Sequence, residues 1–240
     1  MRHLSVFFVL SVLLLTTFSV YSGMAFDEDV REEVVGLFGT LQAPSIFTTA
    51  KSEQFSISLY GRSLNAEGEV PDFDGTFEDE IDELTIFASV RLNGLGLTAG
   101  FGEGSEFEFS QPVIVSLDYK AGLLENNPSA DAAIDFQYSI IVLPDEEKIE
   151  VSALGFGVIS INGLISANLL SIAEPYAGFT LNYVYLNSDT EGSIKAWKPV
   201  PKVGLRVGFG AVAISTELSL INNKHIDSAW MWNLGATVRF

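Results

Sequence analysis

Cysteine is absent from the 240-residue chain, histidine occurs twice, and Lys and Arg number only 13 against 31 Asp and Glu. Without cysteine there is no disulfide, no thiolate-held zinc or iron–sulfur cluster and no lipid-modified cysteine anchor. A formal charge of −18 argues against nucleic acid as a partner, because phosphate binding needs clustered Lys and Arg. Charged residues make up 18%, below the ~25% of an ordinary soluble domain. Apolar residues make up 48%, with 21 Gly and 18 Phe. Such a composition argues against disorder, and the length allows one domain with a sizeable core.

Residues 1–25 read as a signal peptide. Arg2 and His3 precede an apolar run from Leu4 to Val20, and Gly23 and Ala25 are small residues placed for cleavage before Phe26. An uncleaved anchor is the competing reading; the small-residue exit and the acidic stretch after it favour cleavage. Residues 26–52 then form an N-terminal segment, read either as a plug or as a first strand, and 53–240 the main body.

Beyond residue 40 helical spacing is scarce and period-two alternation takes over. Phe55, Ile57 and Leu59 oppose Ser56, Ser58, Tyr60 and Arg62; Leu84, Ile86, Ala88, Val90 and Leu92 oppose Thr85, Phe87, Ser89 and Arg91. Asn93-Gly94 follows, the strongest short hairpin signal. The same alternation recurs in 95–102, 111–120, 132–143, 177–187, 202–210 and 211–221. The uncharged run Val151–Ala173 is long enough for a membrane helix, but its glycines break it, and it reads as a hairpin turning at Asn162-Gly163.

In a soluble sandwich the polar faces meet water and are usually rich in charge. Here they hold mainly Ser, Thr, Gly and Asn, with isolated charges: Arg62, Arg91, Lys120, Arg206 and Arg239 against Asp118, Asp135, Glu150 and Glu217. The set is nearly neutral, so the surplus acid belongs in connections, above all Asn65–Glu83, with nine acids and no base. Sparse, balanced charge on one face and apolar residues on the other predict an all-β, antiparallel, up-and-down transmembrane barrel with lipid outside and the charges in the lumen. Closure is what satisfies every backbone group in lipid.

The chain ends Ala229-Trp-Met-Trp-Asn-Leu-Gly-Ala-Thr-Val-Arg-Phe240, which places Trp230, Trp232, Leu234, Ala236 and Val238 outward. Asn233, Gly235, Val238 and Phe240 follow a polar-x-Gly-x-x-apolar-x-apolar pattern. These eight residues resemble the closing strand of bacterial outer-membrane β-barrel proteins, whose terminal aromatic is read by the barrel-assembly machinery. The resemblance implies the outer membrane as location, with its lipid and that machinery as partners. Gly36-Leu-Phe-Gly39, Gln42-Ala-Pro44 and Thr48-Thr49-Ala50 resemble the opening of exported small-barrel families in which an N-terminal segment tucks into the lumen.

Eleven segments qualify as strands, while single-chain bacterial barrels are normally even. Adding Val34–Gln42 gives twelve; merging or discarding Leu164–Ile172 gives ten, the preferred number. Ten strands put the 65–83 connection on the outside of the cell and the Gly210-Ala211 turn in the periplasm.

Little in the chain suggests catalysis. His225, in a short loop, is the one histidine left after cleavage, and histidine is the commonest general base and metal ligand. The acids from Asp72 to Glu80 miss calcium-loop spacing, since Val70 and Ile81 fall where ligands belong. Neither a cofactor nor a metal is expected. Trp230 and Trp232, with Trp197, Tyr119, Tyr183 and Tyr185, suit aromatic girdles at the lipid interfaces. The expectation is an outer-membrane barrel acting as a narrow pore or in a structural or surface role. The alternatives are a soluble exported β protein binding an apolar ligand, and an outer-membrane enzyme.

Overall fold

A computed structural model describes residues 36, 39–40, 43–44, 49–50, 54–71, 77–104, 113–124, 129–143, 154–167, 172–188, 192–223 and 226–240. The proposed signal peptide, Glu150 and His225 lie outside the described residues. Ten strands follow one another: β1 (Phe55–Pro71), β2 (Phe77–Leu92), β3 (Leu95–Gly104), β4 (Val113–Leu124), β5 (Ala130–Leu143), β6 (Leu154–Ala167), β7 (Ala173–Ser188), β8 (Gly192–Phe209), β9 (Val212–Asn223) and β10 (Ile226–Arg239). Each pairs antiparallel with its neighbours, and β1 pairs with β10, so the sheet is a closed barrel. Phe55 and Phe240 meet at what we term the near end, where the Phe240 N–H donates to the Phe55 carbonyl (3.1 Å).

Near-end connections include two tight turns. Asn93 and Gly94 both take positive φ, 49° and 87°, the type I′ geometry that matches strand twist. A Cβ on Gly94 would lie 2.6 Å from the Lys120 carbonyl oxygen. Gly210, at φ 66°, opens the turn into β9.

Asn162-Gly163 does not turn, contrary to the sequence expectation. β6 runs straight through it, with Asn162 buried inside and Gly163 outside, paired with Ile134 and Phe179. Alternation across the pair continues unbroken, and inside the barrel Asn162 accepts a hydrogen bond from Thr180 Oγ1. Merging these two expected strands yields the ten observed. The acidic connection is also shorter than expected: β1 and β2 extend through most of it, pairing as far as Pro71 and Phe77.

The outward and inward faces fall as alternation predicts. Leu59, Ile86, Leu97, Val115, Ile214 and Leu234 are exposed outward, while Ser58, Thr98, Ser116, Ser160, Ser215 and Thr237 are buried inward. The interior is layered along its axis, which period two does not predict. Toward the far end the inward side chains are Leu64, Ile114, Ile141, Val158, Val184 and Met231; toward the near end they are mostly charged or polar.

Candidate functional site

The lumen is the candidate site. Its walls come from alternate residues of all ten strands, which direct polar side chains into a space cut off from water. An unpaired charge there is expensive, so partners matter most.

Arg91 anchors one cluster. Its Nη2 lies 2.5 Å from Asp118 Oδ2 and its Nη1 lies 3.5 Å from Asp135 Oδ2. The same Nη1 donates to the Gly94 carbonyl (3.0 Å), so one guanidinium ties the β2–β3 turn to β4 and β5. Asp118 faces Gly96, where a side chain would collide with its carboxylate. Lys120 is paired in register with Asp135.

Glu217 anchors a second cluster. Lys202 Nζ sits 3.5 Å from Oε2, Tyr176 Oη donates to the same oxygen (3.2 Å) and Asn233 Nδ2 donates to Oε1 (3.2 Å). The Tyr176 ring lies over Gly204, the register partner of Glu217. Between the clusters, Tyr60 stacks on Phe87 with ring centroids 4.9 Å apart, and Arg62 Cζ lies 4.8 Å from the Phe87 centroid. A glycine, Gly100, makes room for the Phe87 ring.

Three anchors hold residues that precede the barrel in sequence. Arg62 Nη1 donates to the Ala43 carbonyl (2.9 Å), Lys120 Nζ to the Thr49 carbonyl (3.1 Å) and Arg206 Nη1 to Thr49 Oγ1 (3.5 Å). Ala50 packs with Ala133 and Leu164. Gly39 abuts Val184, and a Cβ on Gly36 would fall 2.7 Å from Ala196 Cβ. These contacts put the described residues of 36–50 inside the barrel, Gly36 and Gly39 toward the far end and Thr49 and Ala50 toward the near end.

Arg62, Arg91, Asp118, Lys120, Asp135, Arg206 and Glu217 are thus all buried inside, and Arg239 is half-buried on the same face. Sequence reading missed Asp131, Lys198 and Lys202, which are equally buried. Among the described residues the buried charges are six basic and four acidic, an interior of opposite sign to the whole chain. Asn233, Gly235 and Val238 sit in β10, with Asn233 inward and Val238 outward, and the Phe240 ring tilts against Phe55 at 5.3 Å. Trp230 and Trp232 are outward, and Trp232 Nε1 donates to Thr216 Oγ1 (2.6 Å). Tyr183 packs against Tyr185 and Trp197 at the same far-end level.

Replacing Glu217 by Gln keeps the shape and removes the charge that Lys202, Tyr176 and Asn233 address. The expected cost is about 1.5–3 kcal/mol, the scale of a hydrogen bond to a charged group. In urea titrations read by gel migration, the Lys202→Met/Glu217→Gln double variant should recover part of it. Equal midpoints for wild type, both singles and the double would mean that the two side chains do not interact.

Apolar residues outside, paired charges within and full closure define an integral membrane β-barrel of the bacterial outer-membrane type. The chain is similar in fold to the translocator domain of the autotransporter NalP from Neisseria meningitidis, at 10% identity over 90% of this chain and 100% of that one, with a TM-score of 0.45. It is also similar to the N-terminal barrel of Pseudomonas aeruginosa OprF (12% identity, 79% and 100% covered, TM-score 0.35) and to Acinetobacter baumannii Omp33 (10%, 80% and 100%, 0.35). Neither a protein-family model nor a curated protein sequence matches the chain.

Proposed function

We propose that the chain is a plugged outer-membrane barrel with a structural or surface role, closed to solutes at rest and without catalytic activity. The observation that carries this reading is the seating of Ala43 and Thr49 on three inward cations, Arg62, Lys120 and Arg206. The apolar layer toward the far end adds to it, since a hydrophobic constriction dewets and resists ion passage. Ten strands enclose somewhat more than the eight whose interior side chains alone fill, and the segment takes up the difference. Export on the 1–25 signal peptide and assembly through Asn233, Gly235, Val238 and Phe240 complete the reading.

Planar-bilayer recordings test it. The full-length mature barrel should show little conductance. Deleting 26–50 should open a steady channel that prefers anions, given the basic excess inside. A wild-type barrel that conducts as well as the deletion would sink the plug.

A further inference from the structure

The wall is incomplete between β8 and β9. Their ladder begins at Phe209↔Val212 and stops at Lys202↔Ser219 among the described residues. β9 continues to Asn223, paired only with β10, and β8 continues to Gly192, paired only with β7. Residues 198–201 and 220–223 therefore lie opposite one another without a ladder, and the β8 edge is open above them as well.

Two prolines account for the break. The Gly208 N–H donates to the Ile172 carbonyl on the β7 side. The β7–β8 register has no shift, so even-numbered β8 residues direct their backbone groups to β7 and odd-numbered ones to β9. Phe209↔Val212, flanking a two-residue turn, fits this parity. The next hydrogen-bonding positions beyond Val203↔Leu218 would be residues 201 and 199, and both are proline, with no N–H to give. The sequence thus removes two consecutive donors toward β9 and none toward β7.

A cleft of about 480 Å³ lies on the outer face where the ladder ends, walled by Val203, Leu205, Thr216, Leu218, Trp230 and Trp232. Gly204 and Glu217 form its floor. Its walls are outward residues in the apolar band, with Trp230 and Trp232 toward the far-end rim. Behind the open seam the inward residues Val200, Ala196 and Ile221 are apolar too. We propose that this seam is a lateral binding site for one hydrocarbon chain of a membrane lipid, held in the cleft between β8 and β10. The occupant follows from position: an apolar cleft open sideways within the membrane band meets acyl chains and nothing else. The inference rests on the membrane-barrel reading, and the size suits a specific ligand cleft, ~300–1,000 Å³.

The test is native mass spectrometry of the mature full-length barrel in mild detergent, titrated with dipalmitoyl phosphatidylethanolamine. One lipid should remain bound under activation that strips all others. Pro199→Val/Pro201→Val restores both donors and should weaken that adduct about ten-fold, the scale of two added backbone hydrogen bonds. Leu218→Trp, on the outer face, fills the cleft without touching the ladder and should abolish the adduct, so the result stands even where the proline variant does not fold. No retained lipid on a folded wild-type barrel, or an adduct unchanged in Leu218→Trp, overturns the site. A chain that stays folded and monodisperse without detergent overturns the membrane reading instead, which separates the two failures.

Discussion

Arg91→Met should be the most damaging single exchange in the lumen, with a loss of about 3–5 kcal/mol, the cost of breaking a buried ion pair by removing one partner. Two carboxylates, Asp118 and Asp135, lose the guanidinium that lies 2.5 and 3.5 Å from them. The Asn93-Gly94 turn loses its tie to the interior as well. Because the damage comes from stranded acids, Arg91→Met/Asp118→Asn should be more stable than Arg91→Met alone. Unheated against boiled gel migration across a temperature series reads both. A double variant no better than the single would place the damage in lost packing rather than in charge.

Gly235→Val should be the second large effect, at about 3 kcal/mol, the upper end for overpacking. A Cβ there would collide with Tyr60 Cβ and lie 2.5 Å from the Leu59 carbonyl oxygen. Backbone cannot swing aside as a flexible side chain can, so the β1–β10 pairing itself must shift. Deleting Phe240 offers the contrast. Its ring is 73% exposed and its main partner is Phe55, so the stability loss should be only ~0.5–1.5 kcal/mol. If the deletion lowers membrane levels as much as Gly235→Val does, the aromatic acts in assembly. Equal refolding midpoints for Gly235→Val and wild type would show that the wall has slack at this position.

Period two made the two faces of the wall legible, because one buried face fixes which residues alternate inward. It did not make neighbours legible. Glu217 pairs in register with Gly204, so Lys202 and Arg206 are its two diagonals on β8. They are equivalent in sequence and distinct in a twisted, tilted sheet. Sequence reading nominated Arg206; the ion pair that forms is with Lys202. Lys198 and Lys202 were passed over because Pro199 and Pro201 looked like the end of a strand. They end only one of its two ladders. Asn162-Gly163 misled in the opposite direction, since a turn-forming dipeptide is also tolerated in a strand whose other residues keep the alternation. The contacts of Ala43 and Thr49 depend on side chains reaching across the interior from β1, β4 and β8, and no local pattern encodes them.

Barrel closure also sets an order of events. Ser58 and Thr237 share a hydrogen bond across 179 residues of chain, while every other strand pair is a local hairpin. Hairpins form early and long-range contacts late, since loop closure must precede any gain from them. The growing sheet therefore carries two bare edges until β10 arrives, and the last seam to zip is β1 against β10. Residues 36–50 lie upstream of β1 and inside the finished wall, so they must be gathered into the concave side of the open sheet before that seam zips, or thread a completed cylinder afterwards. Gathering is the less demanding route, and it makes the segment a core around which the sheet curls.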